Sequence, residues 1–512
     1  MGRVEEEGSV SSLTRQMAAM ECHEDNLQLL ADQLTAHDTD VQAQALVYLV
    51  DALSKEPENI AAVHQMGLVP EFVRLLRSEN RSLQLGAAKA LVLVTSSTER
   101  HTRTVVDSGV IPHLIQLLRS SDAQLAQQAL WSLGNIAGDN VFHREVLNKH
   151  GTIRAILGCM ERRDLSRDQI KTAVWALSNV CRQKTAIELD VVVDCIPVLR
   201  ALLLDDDPEL LQDVCFTCSY LSEGPGSRVQ SFIDSRMCER LVPLLWHKEP
   251  TVVYPVLRTI SNMVSGTDDQ TQAVVDCGVV RLLVGILKFH PGKRIVKEAC
   301  WALSNITAGP WQQLQVVIDE DGFGELVRIA RRGPPDLKTE AIWAIGNALM
   351  GAGPDQIREI ANMEVVRVMC DMLMSVDVTF LTLAVESLWS ILISRQMDEG
   401  NGFECEQYSQ QDEDEEFWEY ARWISGARGL QRLARLRMHP DDAISTKSME
   451  ILSMLIDTPL ADYSDLDDED STSEDDENDG VEEDYYVEPF GKDKVDLSGM
   501  LSQGEGGLKS AR

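Results

Sequence analysis

Trp131-Ser-Leu-Gly-Asn135 recurs as Trp175-Ala-Leu-Ser-Asn179, Trp301-Ala-Leu-Ser-Asn305 and Trp343-Ala-Ile-Gly-Asn347. The first two copies begin 44 residues apart and the last two 42, and the 126 residues from Trp175 to Trp301 divide into three further steps of 42. Residues i and i+4 of a helix share one face, so each copy sets an indole beside a carboxamide that can donate and accept hydrogen bonds. Repeated in a stacked array, the pair becomes a ladder.

A second anchor keeps the same period. Gly67-Leu-Val-Pro, Gly109-Val-Ile-Pro and Gly151-Thr-Ile are 42 residues apart, and weaker copies stand at Cys195-Ile-Pro197, Arg236-Met-Cys238, Gly278-Val-Val, Gly322-Phe, Met363-Glu-Val-Val and Gly429-Leu430. The glycine supplies a turn or helix stop, and the nearby proline suits the first turn of the next helix. Each repeat reads as a short helix, a long amphipathic helix, and a third helix that carries the Trp position. A period of this length in a chain without strand-like alternation points to armadillo or HEAT repeats. The expected fold is all-α, a right-handed superhelical solenoid of about ten armadillo repeats, because no single unit can bury its apolar face alone. The expected organisation is an acidic, disordered segment at 1–24, a solenoid over 25–457 with an acidic insert at about 397–416, and an acidic, disordered tail at 458–512.

Stepped through the chain, the Trp position falls on Lys89, Trp131, Trp175, Phe216, Arg258, Trp301, Trp343 and Glu386, and its partner on Leu93, Asn135, Asn179, Tyr220, Asn262, Asn305, Asn347 and Ser390. One isolated copy would read as a core Trp with a local Asn cap. Four copies in phase, with Phe216 and Arg258 between them, read as an exposed ladder. Asparagine carboxamides can hold the backbone of an extended peptide, and parallel indoles leave slots for aliphatic stems with cationic heads, at about 0.5–2 kcal/mol each. Asp139, Glu223, Glu298 and Glu340 lie within one turn of ladder positions, and the net charge of −35 attracts basic partners while opposing nucleic acid.

At these residues the chain resembles the importin-α family of nuclear import adaptors. Asn135-Ile-Ala-Gly-Asp139, Ser219-Tyr220-Leu-Ser-Glu-Gly-Pro225 and Lys297-Glu-Ala-Cys-Trp-Ala-Leu-Ser-Asn-Ile-Thr-Ala-Gly309 are similar to that family's repeats in the family's order, over roughly residues 25 to 457. The resemblance implies a concave groove that binds Lys/Arg-rich nuclear localisation signals of cargo, with shuttling between cytoplasm and nucleus. It implies a major site of Trp131, Asn135, Asp139, Trp175, Asn179 and Tyr220, and a minor site of Arg258, Asn262, Glu298, Trp301, Asn305, Glu340, Trp343 and Asn347. Lys89 and Leu93 stand where the family has Trp and Asn, so the major site is expected to be shortened and the minor site to compete for single basic clusters.

The family normally begins with a basic segment that recruits importin-β and folds back as an autoinhibitor. Here residues 1–40 carry only Arg3 and Arg15 as basic residues, against nine acidic ones. A chain that starts in this way is expected neither to engage importin-β in the usual manner nor to inhibit itself, which leaves the import carrier open. The alternatives are an armadillo scaffold and a cargo-sequestering relative not coupled to importin-β. The resemblance also places an export-receptor surface toward the C-terminal repeats, near the acidic run Asp412 to Glu419. Between Asp457 and Glu488 there are 16 Asp or Glu and no Lys or Arg, with Ser464, Ser471, Thr472 and Ser473 each three residues before an acid, as an acid-directed kinase prefers.

The remaining signals argue against other classes. Eleven dispersed cysteines form no disulfide framework, and Cys215-Phe-Thr-Cys218 has no companion pair or histidine set to hold a metal. The ten histidines are scattered without partner sets, and Gly351-Ala-Gly353 lacks the third glycine and strand of a dinucleotide site, so no enzyme and no cofactor are expected. Neither a secretory signal nor an apolar run long enough to span a membrane occurs.

Overall fold

The computed structural model describes residues 24–182, 187–394 and 410–456. The acidic segment ahead of residue 24, the tail from 458 with its serines and threonine, and most of the 397–416 insert lie outside them. The described residues are helices and their connecting turns, with no strand among them. Ten helices carry the Trp register: α1 (Thr39–Lys55), α2 (Arg81–Thr95), α3 (Ala123–Asp139), α4 (Arg167–Cys181), α5 (Pro208–Ser222), α6 (Pro250–Val264), α7 (Lys293–Thr307), α8 (Pro335–Gly351), α9 (Val378–Ile393) and α10 (Asp442–Ile456). Shorter helices stand ahead of most of them, as Glu99–Asp107 and Ile111–Leu118 do before α3, whereas α10 follows the 17-residue helix Gln410–Gly426. This is the armadillo solenoid fold. It divides into two compact units, one up to Leu221 and one from Ser222 onward.

The helix starts follow from residues in register. Asn80 Oδ1 accepts from the backbone N–H of Ser82 and Leu83, Asp122 Oδ1 from Gln124 and Leu125, and Asp207 Oδ1 from Glu209 and Leu210. Each such cap satisfies donors that the helix cannot, and contributes about 1 kcal/mol. Behind them the apolar face is alanine-rich at one fixed place: Ala87, Ala129 and Ala173 in the first unit, and Ala299, Ala341 and Ala384 in the second, are all fully buried two residues before the Trp position. Small residues there let successive register helices pack closely within each unit, α2 on α3 on α4, and α6 on α7 on α8 on α9.

Two local expectations need correction. The middle helix is short, eight residues in Ile111–Leu118, whereas the register helices run to 17 in α3. It is closed quickly because the turn residues and the next Asx cap follow within four positions. The turn expected at Cys195-Ile-Pro197 is absent, and one helix runs through it from Leu189 to Leu202. In most other copies that turn uses a left-handed residue, supplied by Gly67, Gly109, Gly151 and Gly278, and by Arg236, Asp321 and Arg428, whereas the Met363 copy makes it with an extended Asn362 that caps the next helix. Gly322 and Gly429 therefore do not make the turn. They follow it, where an added Cβ would press on Val317 and Ile424.

Candidate peptide-binding grooves

In the first unit Trp131 and Trp175 are half-buried, neither core nor free. With Lys89, Lys171 and Asp213 they line an open cleft of 810 Å³. The motif's fourth residue explains how the second ring is seated. A Cβ on Gly134 would come within 2.1 Å of the Trp175 ring, so the indole lies in space that only glycine leaves open. Gly134→Val is expected to displace that ring and weaken binding of a basic peptide about tenfold, the size of one lost cation–ring contact. A peptide titration checks it, and an unchanged affinity would show that the ring's seat does not matter.

The asparagines are tied to the neighbouring repeat. Asn135 Nδ2 donates to Val92 O at 3.5 Å and Asn179 Nδ2 to Gly134 O at 3.3 Å, each reaching the register helix of the preceding repeat. Asn135 is fully buried and Asn179 nearly so. Asp139 is also engaged, with its Oδ2 3.0 Å from His143 Nδ1 and 3.2 Å from Asn140 Nδ2, and its side chain only 5% exposed. The structure thus brings Trp131 and Trp175 to the cleft and holds Asp139 away from it. Tyr220 is half-buried on α5, stacked on Phe216 with ring centroids 5.9 Å apart.

In the second unit the chain supplies its own cation. Arg258 Cζ stands 6.0 Å from the centre of the Trp301 ring, and its Nη1 lies 3.6 Å from Glu298 Oε1. Burial raises the Glu298 carboxyl above the usual range, and Arg258 opposes that rise. Glu340, one repeat on, is also raised by burial, with Lys297 opposing, and forms no ion pair among the described residues. Trp343 faces Phe380 at 5.5 Å, and Asn347 Nδ2 donates to Ser304 O at 3.1 Å. Asn262 Nδ2 donates to Ser222 Oγ at 3.0 Å. Asn305 differs: its Nδ2 is buried with no hydrogen-bond partner among the described residues. Glu223 is exposed.

Known proteins are similar to this chain over most of its length. The Armadillo/beta-catenin-like repeat model matches residues 98–138 and 267–308. Importin subunit alpha-1b of Oryza sativa subsp. japonica is 34% identical over 86% of this chain and 81% of its own length. Importin subunit alpha-5 of Arabidopsis thaliana is 36% identical over 76% and 73%. The chain belongs to the importin-α family. Among solved structures, an engineered protein shares 26% identity at a TM-score of 0.71, covering 84% of this chain and 99% of its own.

One groove acid of this importin-α chain is not marked by the Trp spacing. Asp213 stands three residues before the Phe216 register position, as Glu298 and Glu340 stand three before Trp301 and Trp343. It lines the cleft, and burial, with Glu209 nearby, raises its carboxyl to about 7. The shared offset was available, but a Phe in the Trp place hid it. The cysteine pair Cys215 and Cys218 is buried and its thiols are pushed up by desolvation, which keeps them protonated and poor metal ligands. Among the described residues no cluster of His, Cys, Asp or Glu fit for a metal occurs, and no helix is long and apolar enough to cross a membrane.

Proposed function

We propose that the chain binds Lys/Arg-rich nuclear localisation signals of cargo proteins and serves as an adaptor for nuclear protein import, shuttling between cytoplasm and nucleus, with no catalysis of its own. The observation that carries this reading is the offset of acids and rings: Asp213, Glu298 and Glu340 each sit one turn from a ladder position, with carboxyls raised by burial. A carboxylate desolvated in that way gains most from an incoming cation, and a neighbouring indole face adds to it. The first groove uses Trp131, Trp175, Asn179, Tyr220 and Asp213, and Asn135 and Asp139 join only by leaving Val92 O and His143. The second uses Asn262, Glu298, Trp301, Asn305, Glu340, Trp343 and Asn347, with Arg258 occupying its first slot. Belonging to the importin-α family supports the cargo class.

The test is a comparison of peptide libraries. A Lys/Arg-rich library should bind the full chain and an acidic library should not, with Trp175→Ala and Trp301→Ala each reducing the signal. Preference for acidic peptides would favour the armadillo scaffold instead.

A further inference from the structure

The charges of the first cleft are sorted by helix. Every carboxylate that lines it comes from α4 or α5, namely Asp168, Glu209 and Asp213, and the one charged lining residue on α2 and α3 is Lys89. Lys171, on α4, is already matched, with Nζ 2.6 Å from Asp207 Oδ2 and 3.1 Å from Glu209 Oε2. Lys89 makes no ion pair among the described residues, and it is half-buried beside Leu85 and Gln128. The acid register itself runs out toward that end. The place three residues before the ladder position holds Asp213 on α5, Thr172 on α4 and Gln128 on α3, so no acid of that row stands beside Lys89. Gln128 is 5% exposed with Oε1 unpartnered, a neutral acceptor that cannot balance the ammonium.

We propose that this cleft reads a two-signed peptide, with Lys or Arg held at the Asp213 end and an anionic side chain, Asp, Glu or phosphoserine, held by Lys89 at the other. This rests on the peptide-binding reading above and narrows it to a cargo class: basic clusters with an acidic or phosphorylated flank on one side. Register helices pack about 10 Å apart and extended chain advances about 3.4 Å per residue, so the anion should stand roughly six to nine residues from the basic side chain that Asp213 takes. A peptide that is basic throughout would place a cation against Lys89, and like charges repel.

The experiment uses the full chain and fluorescent peptides built on one basic core, each with a flank of Ala, Glu, phosphoserine or Lys placed on one side or on the other. The Glu and phosphoserine peptides should bind about fivefold tighter than the Ala peptide for one flank order and not for the other, with the gap closing as salt rises. Lys89→Glu should reverse the preference toward Lys flanks, and Lys89→Gln should abolish it. Equal binding of all flanks in both orders, or an unchanged preference in Lys89→Glu, overturns the proposal while leaving basic-peptide binding intact. Failure of every basic core to bind would instead overturn the proposed function, and this inference with it.

Discussion

Replacing Trp301 and Asn305 together by alanine is expected to lower affinity for a single basic cluster by about 10- to 150-fold. The indole loss removes a cation–ring contact of about 0.5–2 kcal/mol, and the carboxamide loss removes a hydrogen bond of about 1 kcal/mol, which together make that factor. The two residues differ in what they do for the fold. Asn305 Nδ2 is buried without a partner, so Asn305→Ala should leave the melting temperature unchanged or slightly higher. Asn347→Ala, by contrast, cuts the 3.1 Å bond to Ser304 O and should lower it. Titration with a basic peptide and a thermal melt read both effects. Unchanged affinity in the double variant would remove the second groove from the proposed function.

Asp213→Asn should weaken basic-peptide binding at pH 8 by about tenfold, and at the same pH raise the melting temperature by about 2–4 °C. The sign follows from linkage. Burial, with Glu209 nearby, raises the carboxyl from 3.8 in the unfolded chain to about 7 in the folded one, so the folded chain holds the proton more tightly. Its contribution to stability is therefore complete below the unfolded value and is lost as pH rises through about 7. The asparagine variant escapes that loss, and its advantage should vanish toward pH 4. Binding moves the other way: wild-type affinity for a basic peptide should fall from pH 8 to pH 6 as Asp213 takes up its proton, and the variant should show less of that fall. A variant that lost stability at pH 8 would mean the carboxylate is structurally satisfied, and would sink the idea that a ligand cation completes it.

The all-helical repeat was legible because stacking imposes one period on several residue classes at once. Glycine turns, Asx caps, buried alanines and the Trp row all advance by about 42 residues, and any two of them fix the register. The exceptions were not legible in the same way. The unbroken helix Leu189–Leu202 arises where the chain has neither a left-handed residue, as most copies do, nor an extended cap such as Asn362, and the short middle helices depend on how soon the next cap closes them.

What the sequence determined by itself is the ladder: which residues share a face, where Lys89 and Arg258 interrupt it, and which family its motifs belong to. Only the tertiary structure decided how each rung is used. Asn135 and Asn179 turn their donors to the preceding repeat, Asp139 is held by His143, Arg258 lies against Trp301 and Glu298, and Asp213 opens into the cleft. Spacing along a chain fixes which residues fall on one helical face. Whether a polar group on that face meets solvent, a ligand or a neighbouring turn depends on the helix packed beside it, which belongs to a different repeat some 40 residues away.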